Sequence, residues 1–180
     1  MSSRKALAGL ALVMSGLSAG AMASDNTVNF TGEIVDTPCV VAPVAGDGQI
    51  QVELNQVKSS VFTQAKDTSP DVGFTIVLDQ CTTDTLKSAN VTFSGSQDSN
   101  DNTLLAIQNQ SGDTRQMATG VGIEIANNDG TAIPMGTAGS DISLVDGSNQ
   151  LMFKAHYKST AAKVTAGRAD GQATFQIAYK

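Results

Sequence analysis

The sequence predicts an all-β fold, an antiparallel β-sandwich, on three observations. Apolar residues recur at every second position in short runs, Gly, Asn, Asp and Ser cluster between those runs, and helical spacing is nowhere sustained beyond a single turn near Ser59 to Ala65. Period two is the spacing of a strand with one buried face. Seven short strands separated by polar turns in one domain are the pattern of a sandwich.

In chain order the alternation predicts strands over Val28 to Asp36, Gln49 to Leu54, Gly73 to Gln80, Ala89 to Ser94, Val121 to Ala126, Gln150 to Lys158 and Gln172 to Tyr179. Turn chemistry falls between them, at Gly46 to Gly48, Ser94 to Asn102, Asn127 to Gly130 and Asp146 to Asn149. No internal repeat or linker interrupts the run, so the region from Thr37 to Lys180 is expected to form one domain.

Residues 1–23 are expected to be a secretory leader outside that domain. Arg4 and Lys5 form a basic head, Ala6 to Leu17 is an almost unbroken apolar run, and Ala21-Met22-Ala23 supplies the small residues of a cleavage site. The apolar run falls short of the roughly 20 residues that a membrane-spanning helix needs. The leader holds two basic residues and no acidic ones, so its removal takes the formal charge from −6 to −8. An acidic chain of this kind is poorly suited to nucleic acid or to an anionic membrane, both of which demand basic patches.

Cys39 and Cys81 are the only cysteines. In an exported chain an even count reads as a disulfide, and a loop of this length stabilises by roughly 3 to 4 kcal/mol in the chain-entropy picture. Catalysis would require convergent titratable groups, and the chain has a single histidine, His156, within an alternating run. That scarcity argues against acid–base chemistry and against an imidazole metal site. Asp98, Asn100 and Asn102 start a calcium-loop pattern, but Thr103 stands where the glycine is required and Asn109 where the bidentate glutamate belongs. "GVGIE" at Gly120 to Glu124 lacks the third glycine of a dinucleotide turn. The expectation is therefore no enzyme, no cofactor and no small-molecule substrate.

The two ends of the exported chain carry the stronger signal. At the C-terminus Ala173, Phe175, Ile177 and Tyr179 share one face of a half-buried strand, and nothing follows to cover it. At the N-terminus Val28, Phe30, Gly32 and Ile34 share one face, with a glycine where a packing side chain is expected. Glycine inside a strand often marks close approach of another backbone. A β-bulge is the competing explanation for Gly32, but it leaves the uncovered C-terminal strand unexplained.

With "TVNFTGEIVDTPC" near the start, paired Cys39 and Cys81, Gly167 as the fourteenth residue from the end, and the closing run Phe175, Ile177, Tyr179, the chain resembles the major subunits of chaperone-usher pili of the type 1-like and P-like classes. The resemblance implies an incomplete immunoglobulin-like sandwich lacking its last strand. It implies a groove flanked by Gly167, Ala173, Phe175, Ile177 and Tyr179, filled first by a strand of a periplasmic chaperone. At an outer-membrane usher, the extension Ser24 to Asp36 of the next subunit then replaces the chaperone strand in antiparallel sense, with Val28, Phe30, Gly32 and Ile34 as the inserted row. The implied function is a self-assembling cell-surface fimbrium supporting adhesion, whose partners are copies of itself and other pilus subunits. A minor or adaptor subunit is the alternative within that system. A free-standing exported ligand-binding sandwich is the alternative outside it, disfavoured because the chain has no Trp and only two Tyr.

Overall fold

The computed structural model describes residues 37–43, 48–109, 112 and 114–180. The first predicted strand, Val28 to Asp36, and the leader lie outside the described residues.

Seven strands and one short 3-10 turn account for the regular structure of the described residues. The strands are β1 (Val40–Val41), β2 (Val72–Cys81), β3 (Ser88–Gly95), β4 (Val121–Asn127), β5 (Ile142–Ser143), β6 (Gly147–Ser159) and β7 (Ala173–Tyr179), and the turn is Ser59–Val61. All named pairings are antiparallel. One sheet has the order β1-β2-β6-β4 and the other the order β5-β3-β7. Leu105 extends the larger sheet past β4 by exchanging two backbone hydrogen bonds of 2.9 Å with Ile123.

The inward rows follow the alternation read from the sequence. Ile76 and Leu78 of β2, Val91 and Phe93 of β3, Ile123 and Ile125 of β4, and Leu151, Phe153 and Ala155 of β6 are buried in one core. At its centre the Phe93 and Phe153 rings meet edge to face with centroids 5.2 Å apart, and Phe74 packs on both. Such aromatic geometry adds to the burial of the rings.

The five strands predicted from Gly73 onward appear within a few residues of their expected bounds. The prediction of a strand at Gln49 to Leu54 needs correction. Ile50, Val52 and Leu54 are half-buried while Gln49, Gln51 and Glu53 are exposed, yet the segment joins no ladder among the described residues. Alternation records only that one face is covered, whereas a ladder also needs an adjacent backbone. The expected turn at Asp146 to Asn149 also shifts: β6 begins at Gly147, whose φ of 92° requires glycine, and the Asn149 amide closes the turn by bonding both the N–H and the C=O of Val145.

The disulfide joins Cys39 to Cys81. It pins the chain just ahead of β1 to the end of β2, where the ladder with β6 shifts register between Leu78 and Cys81 and Gln80 takes a φ of 56°. The extra residue on the β2 side is the pattern of a β-bulge, which bends a strand locally.

Candidate functional site

β7 is an edge strand, paired with β3 on one side and unpaired on the other among the described residues. Its hydrogen-bonding phase is fixed beyond its end, where Ser88 and Lys180 exchange both backbone bonds, at 3.0 and 2.8 Å. In an antiparallel ladder the bonded pairs alternate. Ala178, Gln176 and Thr174 therefore direct their backbone groups to β3. Tyr179, Ile177, Phe175 and Ala173 direct their N–H and C=O groups to the open edge.

The same four residues point their side chains inward, and all four are only half-buried. On β3, which faces the same core, Ala89, Val91 and Phe93 are buried. The core is thus covered under β3 and uncovered under β7. An exposed row of backbone donors and acceptors beside an apolar cleft is a template for another strand.

The cleft is a cavity of about 1140 Å³. Its floor is Phe74, Phe93, Ile123, Ile125, Ala155 and Tyr157, one wall is residues 169–175, and the facing wall is residues 48–56 with Ile50, Val52 and Leu54 turned inward. The two walls stand apart, which explains why the period-two segment at Gln49 to Leu54 has no ladder. A smaller cavity of about 530 Å³ shares Asn55, Gln56, Tyr157, Ala169 and Asp170 with the first and runs on to Gly167 and Arg168.

Glycines shape this end of the groove. A Cβ on Gly167 would lie 2.3 Å from the Met117 carbonyl carbon and 2.4 Å from the Ala118 nitrogen. The backbone therefore runs flush against residues 116–118, and it is held there by Ala118 N–H to Arg168 C=O at 2.7 Å and Arg168 N–H to Gln116 C=O at 2.9 Å. A Cβ on Gly171 would lie 2.8 Å from Ile123 Cδ1 and 3.1 Å from Leu105 Cδ2, so the chain also passes low over the core just before β7. Sequence reading missed Gly171; its signal was a glycine placed two residues ahead of the last strand. Tyr157 closes the corner by donating its hydroxyl to the Ala169 carbonyl at 3.0 Å. Burial pushes the Tyr157 hydroxyl above its ordinary pKa, and that of Tyr179 likewise.

Of the residues expected at the site, Ala173, Phe175, Ile177 and Tyr179 line the open edge, and Gly167 lines the adjoining cavity. Val28, Phe30, Gly32 and Ile34 lie outside the described residues. His156 sits on the outer face of β6, away from the groove, between Glu124 and Asp71. Among the described residues no group of three His, Cys, Asp or Glu side chains is placed to hold a metal ion. The Asp98 carboxylate accepts the N–H groups of Asn100 and Asp101, which makes the calcium-like stretch a polar turn.

Known proteins match this chain over most of its length, in sequence and in fold. A probable major fimbrial subunit of Escherichia coli O157:H7 is 42% identical over 176 residues, covering 97% of this chain and 94% of that protein. The crystal structure of a Burkholderia pseudomallei antigen and type I fimbria protein superposes with a TM-score of 0.59 at 31% identity, over 84% of this chain and 96% of that one. A structure of a chaperone-usher pilus gives a TM-score of 0.65 at 24% identity, over 87% of this chain and 96% of that one, a likeness of fold. The family model described as "Fimbrial protein" matches residues 28–180, and the chain belongs to that family.

Proposed function

We propose that this fimbrial subunit polymerises by accepting a β-strand from a neighbouring copy into the groove beside β7. The observation that carries the reading is the conjunction on one edge: Ala173, Phe175, Ile177 and Tyr179 present both backbone groups that are unpaired among the described residues and half-covered side chains. One added strand would satisfy both at once.

The occupant is the segment Ser24 to Asp36 of the next subunit. Laid antiparallel to β7, it runs with Val28 at the Tyr179 end and Ile34 toward the Ala173 end, and Gly32 lets its backbone lie close over the groove floor. A side chain at Gly32 would compete for that space. Burying Val28, Phe30 and Ile34 contributes about 1.5 to 3 kcal/mol each, and each ladder bond adds on the order of 0.5 to 1.5 kcal/mol net. The inserted strand leaves only when the sandwich opens, so the lifetime of the joint follows an unfolding barrier.

Before assembly an uncovered groove exposes core, so a periplasmic chaperone lends a strand on the same edge, with Gly167, Ala173, Phe175, Ile177 and Tyr179 at the contact, and an outer-membrane usher exchanges it for the incoming segment. The chain acts as a structural rod component at the cell surface, reached through the periplasm after removal of residues 1–23, and not as an enzyme. The extent of identity to a probable major fimbrial subunit supports the rod over a minor position.

Deleting residues 24–36 tests the reading. The truncated subunit is expected to bind its chaperone and to cap a growing fibre without extending it. Long polymers assembled from the truncated chain alone would overturn it.

A further inference from the structure

His156 is buried on the outer face of β6 with a carboxylate at each ring nitrogen. Nε2 lies 3.1 Å from Glu124 Oε1 on β4. Nδ1 lies 2.9 Å from Asp71 Oδ1, one residue ahead of β2, at ion-pair distance but off the line of a hydrogen bond. The imidazole and Glu124 side chains are only 10% and 13% exposed, while Asp71 is 47% exposed. A neutral imidazole carries one N–H and one lone pair, so it can face only one carboxylate favourably; the imidazolium donates from both nitrogens.

We propose that His156 is a proton-operated brace across the outer face of the four-stranded sheet, tying the start of β2 to β4 as the imidazolium and releasing one of the two carboxylates when it loses its proton. The brace goes beyond strand acceptance and does not depend on it.

The surrounding charges fit. From β6 itself, Lys158 pairs with the second oxygen of Glu124, and Lys154 lies 3.7 Å from Asp71 Oδ2, so each carboxylate has a lysine beside it as well as the histidine. Asp101, in the loop ahead of β4, is near enough to interact with Lys158 and Glu124, and Asp129, in the turn after β4, interacts with Lys154. The nearby Asp67 carboxylate is committed to its own turn through Thr63 and Gln64. In this field the hydrogen bond to Glu124 raises the His156 pKa above its ordinary 6.5 against the opposing effect of burial, and the same bond lowers that of Glu124. The raised histidine contributes stability that is fully present below its ordinary pKa and is lost as pH rises through the raised value. The lowered glutamate contributes stability that is lost only as pH falls through its depressed value. The brace therefore operates in mild acid and up to the raised histidine pKa.

Position gives the brace a consequence. Ala155 and Tyr157, on either side of His156, line the groove on the opposite face of β6. The brace thus stiffens the sheet that forms the groove floor from behind.

His156 is the only histidine, so its ring protons can be followed by NMR in the disulfide-bonded chain without ambiguity. The titration midpoint is expected above that of histidine in the unfolded chain, and Glu124→Gln is expected to bring it down. Thermal unfolding at pH 5.5, 7 and 9 should show the wild-type melting temperature falling as pH rises, with a much flatter dependence for His156→Gln. A midpoint at or below the unfolded value, or an equal fall in both chains, would overturn the brace. Should His156→Gln fail to fold, the wild-type and Glu124→Gln midpoints decide the matter alone.

Discussion

Gly167 and Gly171 stand four positions apart on the same wall, yet a methyl group at each meets different surroundings. At Gly167 the obstacle is backbone, the Met117 carbonyl carbon and the Ala118 nitrogen, which cannot move without breaking the hydrogen bonds beside them. At Gly171 it is the tip of the Ile123 side chain, which can rotate. Gly167→Ala is therefore expected to destabilise the subunit by about 1 to 3 kcal/mol, the range for overpacking, and Gly171→Ala by clearly less. Urea denaturation of the two variants side by side checks the order; equal losses would contradict it. Gly167 was legible in the sequence through a resemblance that fixes its distance from the C-terminus. Gly171 was not, because nothing in the local pattern announces that Ile123 and Leu105, far away along the chain, converge beneath it.

At the level of the strand, β7 divides its residues into two classes that alternate one by one. Gln176 bonds to β3, whereas the Ile177 N–H faces the open edge. A proline at each position then separates folding from assembly. Gln176→Pro removes a ladder bond inside the sheet and is expected to unfold the subunit. Ile177→Pro leaves the β3 ladder in place and removes a donor for the incoming strand. It is expected to weaken capture by the chaperone or by a synthetic peptide of residues 24–36 at least tenfold more than Ile177→Ala does, as measured by titration. The long strands were legible because five of them bury one face against the other sheet, and that burial imposes period two. β1 and β5 have two residues each, too few to carry any period. The alternation at Gln49 to Leu54 was real, but it reported a groove wall, and the missing neighbour that makes it a wall is not encoded nearby.

Across the whole molecule, the only covalent link beyond the backbone is Cys39–Cys81, as the export reading of two cysteines anticipated. Closing a loop with a sequence separation of 42 residues stabilises by about 4 kcal/mol in the chain-entropy picture. Reduction should lower the melting temperature of the isolated subunit substantially, and an unchanged melting curve would show that the ladder between β1 and β2 suffices without it. Head-to-tail contacts between unlike surfaces give open filaments when the rotation between subunits does not close a ring, so the proposed pairing of this groove with a donor from the other end of the sequence suits a filament. The fold class was legible from composition and period alone; the openness of the sandwich was legible only by setting the two chain ends side by side.

The position of that bond bears on how a fibre would carry load. A pull on the residues ahead of Thr37 meets Cys39 before it meets β1, and the sulfur bridge passes the force directly into β2, seven consecutive residues of which, Val72 to Leu78, lie in one register with β6. The two-residue hydrogen-bonded contact of β1 is thereby bypassed under tension, and the strain is delivered in shear to one of the longest ladders in the subunit.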